Sequence, residues 1–93
     1  MTLKEGTIRH LQEYIAFKIK QRGFENEQLH ERLILLTEEL GELAKSCRKI
    51  NGMNIDQEKD VKENAGEEIA DMINLIFAVG IQLGIDIEKE FLE

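Results

Sequence analysis

Hydrophobic residues recur at intervals of three and four residues along most of this chain, which is the spacing of amphipathic α-helices. We predict a first helix over residues 2–21, ended by Gly23, and a second helix over residues 26–50. Residues 51–54 read as a turn, and residues 56–64 as a loop or a short exposed helix. A third helix is predicted over residues 62–83, and Asp86 could cap a short last helix over Ile87–Leu92. The pattern therefore indicates an all-helical fold.

The second and third predicted helices carry their apolar residues in a strict heptad repeat. We place Leu36 and Leu43 at position d of the second helix, and Ala65 and Met72 at position d of the third. The residues that alternate with them, such as Leu40, fall at position a, so the two helices are predicted to pack through positions a and d. The full repeat comprises Leu29, Leu33, Leu36, Leu40, Leu43, Cys47 and Ile50, and then Ala65, Ile69, Met72, Ile76, Val79 and Leu83.

Size, composition and charge narrow the class of protein. With 93 residues and no proline, the chain is predicted to form one domain over residues 1–93, a four-helix-type bundle whose small core is completed by oligomerisation. The net charge of -7 disfavours a nucleic acid partner. The sequence contains no run of about 18 apolar residues, so no membrane span is predicted. The single cysteine, Cys47, and the lack of an apolar stretch in residues 1–10 predict a cytoplasmic protein, with Cys47 as a core residue.

Two acidic clusters lie beside the apolar repeat of these helices. Glu39 and Glu68 both fall at heptad position g, and Glu42 and Asp71 both fall at position c. Because equivalent flanks of two antiparallel helices face each other, the four carboxylates are predicted to converge on one edge of the helix pair. The alternative is an ordinary solvated acidic face. That alternative does not explain like charges four residues apart, such as Glu38 and Glu42, which repel each other unless a cation relieves them.

The chemistry of these side chains favours Mg²⁺, with Mn²⁺ as the second candidate. Both clusters offer only oxygen ligands and contain neither histidine nor cysteine. A di-iron carboxylate bundle would need a Glu-x-x-His pair from each of two helices. The chain has one such pair, Glu27 with His30, whereas His10 is preceded three residues earlier by Thr7. The di-iron constellation is therefore incomplete.

The acidic segments resemble the signature of the MazG family of all-α nucleoside triphosphate pyrophosphohydrolases, Glu-Glu-x-x-Glu followed by Glu-x-x-Asp. The signature reads Glu38-Glu39-Leu-Gly-Glu42 and Glu68-Ile-Ala-Asp71 here, and the similarity spans residues 15–90. The resemblance implies a Mg²⁺-dependent hydrolase that cleaves a (d)NTP to a (d)NMP and pyrophosphate, clearing damaged or unwanted nucleotides. It also implies that Glu39, Glu42, Glu68 and Asp71 bind the metal, while Glu38 orients the attacking water or holds a second metal ion.

Four further residues are predicted to contact the substrate. Lys45 lies one turn beyond the first motif and, with Arg22 at the end of the first helix, could neutralise phosphates. Asn74, three residues after Asp71, could hydrogen-bond sugar or phosphate. Phe24 occupies a place where members of the family often carry an aromatic residue near the base. Each of the four also has an ordinary interpretation as a surface or packing residue, and the family's frequent tryptophan is absent.

The resemblance also concerns partners and competing functions. Because the substrate site of this family usually lies between subunits, the resemblance implies a homodimer or a homotetramer. Phosphoribosyl-ATP pyrophosphohydrolases and dimeric dUTP or dCTP hydrolases use related carboxylate arrangements, and the sequence does not choose among these substrates. The alternative from another class is a non-catalytic helical module that dimerises through its heptad repeats and uses its acidic residues for solubility.

Overall fold

The computed structural model of the chain describes residues 1–50 and 54–93. Four α-helices follow one another in that part of the chain: α1 (Thr7–Gln21), α2 (Leu29–Lys49), α3 (Ile55–Gln82) and α4 (Ile87–Leu92). None of the described residues forms a strand, so the predicted all-helical class is confirmed. No helix among them combines the length and the apolar character needed to cross a membrane.

The bounds of three helices differ from those predicted. α1 begins at Thr7 rather than at residue 2, because the preceding Gly6 adopts a left-handed conformation with φ 88° that no helix can include. α2 spans Leu29–Lys49 rather than residues 26–50. α4 has the predicted bounds, Ile87–Leu92, and the predicted cap: Asp86 Oδ1 accepts a hydrogen bond from the Lys89 amide at 3.2 Å.

α3 begins at Ile55, seven residues before its predicted start at residue 62. Asn54 Oδ1 accepts a hydrogen bond from the Gln57 amide at 2.8 Å and thereby caps a helix that begins at Ile55. The helix runs without a break to Gln82, so the interpretation of residues 56–64 as a separate loop or short helix was wrong. An ion pair of 2.9 Å between Lys62 and Glu58, one turn apart, supports this polar stretch. The predicted turn over residues 51–54 lies largely outside the described residues.

α2 and α3 pack side by side as an antiparallel pair, since Arg32 near the start of α2 hydrogen-bonds Gln82 at the end of α3. Leu36 and Leu43 at position d are half-buried as predicted, but Leu40 at position a is 53% exposed. The pair therefore packs through positions d and g, and the predicted packing of position a was wrong for the single chain. The residues of position a that lie on the surface are Leu33, Leu40, Cys47, Ile69, Ile76 and Leu83, so the prediction of Cys47 as a core residue was also wrong for the single chain.

α1 lies against α3 and α4, and one carboxylate fixes it to α4. Glu88 is only 1% exposed and accepts hydrogen bonds from the backbone amides of Ile8 and Arg9 at 3.1 and 3.2 Å. It also forms an ion pair of 2.9 Å with the Arg9 guanidinium. Because Gly6 has no side chain to cap α1, Glu88 satisfies the free amides at the start of that helix from another element.

The single chain buries little apolar surface completely. Ile15 of α1 and Ala78 of α3 are the described apolar residues with the lowest exposure, 3% and 5%. α1 covers one side of the α2–α3 pair. The large apolar residues at position a of the pair, including Leu83 just after α3, and Ile73 at the neighbouring position e are 42% to 54% exposed. We call these six residues the outer flank: Leu33, Leu40, Ile69, Ile73, Ile76 and Leu83.

Candidate metal centre and adjoining cavity

Three carboxylates meet at the interface of α2 and α3. Glu39 of α2 and Glu68 and Asp71 of α3 each offer an oxygen atom, and these atoms all lie within 4.8 Å of one another. Position g of each helix faces the interface, so Glu39 and Glu68 lie half-buried between the helices and their carboxylates come close together. Asp71 follows Glu68 by one turn on the same side of α3 and is exposed. The structure thus brings together three of the four predicted metal ligands.

The carboxylate cluster carries repulsion that no described side chain relieves. Glu68 Oε2 is shielded from solvent and has no hydrogen-bond partner among the described residues. The pKa of Glu68 is raised to about 7, first because its proton would be shared with Glu39, then by desolvation and by repulsion from Glu39, Asp71 and Glu42. Two carboxyl groups can share a hydrogen bond only when one of them is protonated. A proton or a cation would relieve the same repulsion.

Glu42 and Glu38 lie outside the group of three. The charge of Glu42 contributes to the raised pKa of Glu68, so its carboxylate acts on the cluster, but its side chain is exposed. Glu38 is likewise exposed on α2 and is not among the carboxylates within 4.8 Å. The roles of Glu42 as a ligand and of Glu38 as a catalytic residue stay predictions.

A cavity of about 380 Å³ opens beside the carboxylate cluster, with walls from α1, α2 and α3. Glu39 and Asp71 line it on the side of the cluster. Leu75 and Ala78 of α3 provide an apolar wall, and Ile15 of α1 lies among the residues that face them. The volume falls in the range of about 300–1,000 Å³ that is usual for small-molecule sites.

Three of the four residues predicted to contact a substrate line this cavity. Arg22 and Phe24 come from the end of α1 and the loop after it, and Asn74 comes from α3, one turn beyond Asp71. Lys45 is exposed on α2 and is not a lining residue. The structure therefore places Arg22, Phe24 and Asn74 at one cavity with the cluster and leaves Lys45 apart; contact of any of them with a ligand stays a prediction.

Lys18 and Tyr14 of α1 also line the cavity. Lys18 lies one turn before Arg22, and its ammonium group is 5.7 Å from the centre of the Tyr14 ring. Lys18 and Arg22 give this wall two positive charges, whereas the wall of the cluster is negative. Arg32 and Glu27, which also line the cavity, form an ion pair with each other, so the wall from α1 is positive and the wall of the cluster is negative.

Arg32 is a cavity residue that the sequence analysis missed. It is 4% exposed, and its guanidinium donates to the Phe24 carbonyl at 2.7 Å, to Gln82 Oε1 at 2.8 Å and to Glu27 Oε2 at 3.4 Å. Its one available signal is its spacing, since it lies seven residues before Glu39 and therefore on the same inward stripe of α2. Because position a rather than position g was predicted to face inward, Arg32 was not predicted to be buried.

The donor set fits a hard divalent cation. Three carboxylates, one with a buried oxygen that lacks a partner, are the ligands that Mg²⁺ and Mn²⁺ prefer. The arrangement does not fit a di-iron bundle, because Glu27 is paired with Arg32 and His30 is exposed. No histidine or cysteine joins the acidic group found among the described residues.

Comparisons of this chain with protein-family models, with curated proteins and with solved structures gave no match.

Proposed function

We propose that this chain is a Mg²⁺-dependent nucleoside triphosphate pyrophosphohydrolase that cleaves a (d)NTP to a (d)NMP and pyrophosphate, as its resemblance to the MazG family implies. One observation carries the proposal: a cluster of three carboxylates with an unpartnered buried oxygen adjoins a cavity whose other wall is cationic and aromatic. A nucleotide bound with a divalent cation is complementary to both walls. The proposed role is the clearance of unwanted nucleotides in the cytoplasm.

Glu39, Glu68 and Asp71 would hold the cation, and Glu42 would complete the set if its exposed side chain turns towards them. When bound, Mg²⁺ neutralises phosphate charge and favours the attack of water at phosphorus. The carboxylates by themselves would repel a triphosphate. Glu38 lies outside the group of three, so its role, to orient the attacking water or to hold a second metal ion, rests on the resemblance alone.

The α1 wall would bind the remainder of the nucleotide. Lys18 and Arg22 supply the positive charge that phosphates distant from the cation need. Phe24, whose side chain is 51% exposed, offers an aromatic face for the base, and Tyr14 lies on the same wall. Asn74 can hydrogen-bond sugar or phosphate from the side of α3. None of these groups needs to act as a nucleophile.

The proposal includes a homodimer or a homotetramer. The outer flank leaves six large apolar side chains half exposed in the single chain, and apolar patches of this kind usually mark a contact surface. The occupant we propose is the outer flank of a second copy, because two such self-complementary faces would bury each other's apolar residues. This contact would complete the four-helix-type bundle.

The test is the release of pyrophosphate from a panel of NTPs and dNTPs with Mg²⁺, with Mn²⁺ and with EDTA. We expect metal-dependent release of pyrophosphate together with a monophosphate. The variants Glu68→Gln and Asp71→Asn should lose about 100-fold or more of kcat/KM, because each removes a ligand charge. Glu67→Gln, the exposed neighbour of the cluster, is the matched control and should keep the parent's activity. Release of orthophosphate, or turnover that persists in EDTA, would contradict the proposal.

The outer flank favours a second candidate, a non-catalytic module that assembles through helices. The two functions differ in what the acidic residues do. Under the enzyme proposal Asp71→Asn abolishes Mg²⁺ binding and leaves the oligomer intact. A parent protein that forms oligomers but binds no Mg²⁺ would support the interaction module instead.

A further inference from the structure

The loop between α1 and α2, residues 22–28, forms the end of the cavity that lies away from the carboxylate cluster. Two of its carbonyl groups are held by side chains from different helices: Phe24 O accepts from Arg32 Nη2 at 2.7 Å, and Glu27 O accepts from Gln82 Nε2 at 3.1 Å. Arg32 Nη1 also donates to Gln82 Oε1 at 2.8 Å. The loop, α2 and α3 therefore share one hydrogen-bond network.

A contribution to stability does not by itself explain why an arginine is buried at position 32. Arg32 is 4% exposed, yet its one ionic partner among the described residues, Glu27, lies at 3.4 Å and is 32% exposed. Burying a guanidinium costs free energy that a single long ion pair does not fully offset, and an apolar side chain of similar size often serves a core as well. A guanidinium differs from an apolar residue in fixing several acceptors in defined directions. Arg32 fixes three, and two of them belong to the loop.

We propose that Arg32 and Gln82 are positioning residues that set the selectivity of the cavity for the organic part of its ligand. They do so by holding the loop of Phe24 at a fixed place relative to the carboxylates. Arg32 precedes Glu39 by seven residues on α2, which separates the loop end of the cavity from the cluster by about 10 Å. This inference rests on the proposed function, since it assigns the phosphates to the cluster and to Lys18 and Arg22 at the end of α1, and the nucleoside to the part of the loop around Phe24.

Two variants test the network with different risks to folding. Gln82→Glu retains an acceptor for Arg32 but removes the donor that holds the Glu27 carbonyl, and position 82 is exposed, so the chain should fold. Arg32→Lys retains the charge but cannot reach three acceptors in the same directions. Gln57→Glu, at an exposed position in the first turn of α3, is the matched control.

Three measurements are made on each protein. Hydrogen exchange reports the backbone amides of residues 22–28. Binding is measured in Mg²⁺ for inorganic tripolyphosphate and for the α,β-imido analogue of the nucleotide that the parent hydrolyses fastest. KM and kcat are measured for that nucleotide.

We expect both variants to exchange the loop amides about tenfold faster and to bind the nucleotide analogue about tenfold more weakly. Tripolyphosphate binding should change by less than about twofold, and KM should rise while kcat stays near that of the parent. The control variant should match the parent in every measurement.

Unchanged exchange in the loop would overturn the positioning role, and equal weakening of nucleotide and tripolyphosphate would overturn the selectivity. If Arg32→Lys does not fold, Gln82→Glu decides alone. A parent that binds no nucleotide and no metal overturns the proposed function and the selectivity with it. Hydrogen exchange would still decide in that case whether Arg32 and Gln82 hold the loop.

Discussion

At the scale of single residues, Glu68 links the stability of the metal-free protein to pH. Its pKa of about 7 in the folded chain lies above its ordinary value of 4.5, so the folded state binds the proton more tightly than the unfolded state. The resulting stabilisation is fully present below about pH 4.5 and is lost as the pH rises towards 7. We expect Glu68→Gln, which cannot titrate, to gain stability relative to the parent across this window. Chemical denaturation in EDTA at several pH values measures the difference.

The control for this prediction is Glu67→Gln. Glu67 precedes Glu68 in α3 and is exposed, so the substitution Glu67→Gln removes one charge without changing a residue of the cluster. The gain of Glu68→Gln relative to Glu67→Gln should grow between about pH 4.5 and 7. A gain that stays constant over this window would contradict the raised pKa of Glu68.

A bound cation competes with the same proton. Since the carboxylates must be ionised to bind Mg²⁺, the apparent affinity should rise about tenfold between about pH 6 and pH 8, with about one proton released. Isothermal titration calorimetry in buffers of different ionisation enthalpy measures both quantities. An affinity that is constant over this range would place the cation elsewhere than at Glu68.

The residues of the cluster could be predicted from the sequence because they depend on relative register. Glu39 and Glu68 both occupy position g, which flanks the predicted interface of positions a and d and lies within the observed interface of positions d and g, so both packings place them at the contact of α2 and α3. Arg32 and Glu88 could not be predicted in this way. Their burial depends on partners 50 and 80 residues away in the sequence, Gln82 and Ile8, and hydropathy assigns charged residues to the surface.

At the scale of elements, the position of α4 depends on a glycine in α3. A Cβ atom at Gly80 would lie 2.7 Å from Ile87 Cδ1 and 3.0 Å from its Cγ1, so Gly80→Ala should force the Ile87 side chain of α4 to repack. Gly66→Ala is the matched control in the same helix, because a Cβ there meets nothing within 4 Å. The control should gain about 0.5–1 kcal/mol from helix propensity. Gly80→Ala should be about 1–3 kcal/mol less stable than the control in urea denaturation; equal stability would show that α4 adapts without cost.

The start of α1 depends in the same way on Glu88 of α4. Glu88→Gln keeps the shape of the side chain but removes its charge, which pairs with Arg9 and strengthens the hydrogen bonds from two backbone amides. We therefore expect the free energy of unfolding to fall by about 1–3 kcal/mol. Hydrogen exchange should locate the loss at the amides of Ile8 and Arg9. The exposed Glu90 of the same helix gives the control, Glu90→Gln, which should change stability by less than about 0.5 kcal/mol.

The four helices themselves followed from apolar periodicity, but their ends did not. Residues 56–64 have few apolar residues, so periodicity is weak there even though glutamate, lysine and glutamine are good helix formers. The Asn54 cap and the ion pair between Glu58 and Lys62 extend α3 across this stretch. At the start of α1, the left-handed Gly6 stops the helix before residues whose composition would allow it to continue.

At the scale of the whole molecule, hydropathy could not decide which apolar stripe faces the partner helix. Positions a and d of α2 and α3 are both apolar, whereas position g carries Arg32, Glu39 and Glu68. The structure turns these charged residues inward and leaves position a, including Leu40 and Ile76, on the surface. Such an exchange leaves apolar area uncovered in a single chain, and this uncovered area is what supports the proposed second copy.

If the outer flank contacts a second copy, a charge placed on it should disrupt the oligomer. Ile73 of the outer flank and Leu3 ahead of α1 are both 42% exposed, so Ile73→Lys and Leu3→Lys add the same charge at equal exposure. The parent should scatter light as two or four copies of the 10.7 kDa chain, and Leu3→Lys should do the same. Ile73→Lys should be monomeric, because a buried lysine without a partner opposes association, and its pyrophosphate release should fall with the loss of the second subunit. A parent that is active as a clean monomer would remove the second copy from the mechanism while leaving the carboxylate cluster as the candidate site.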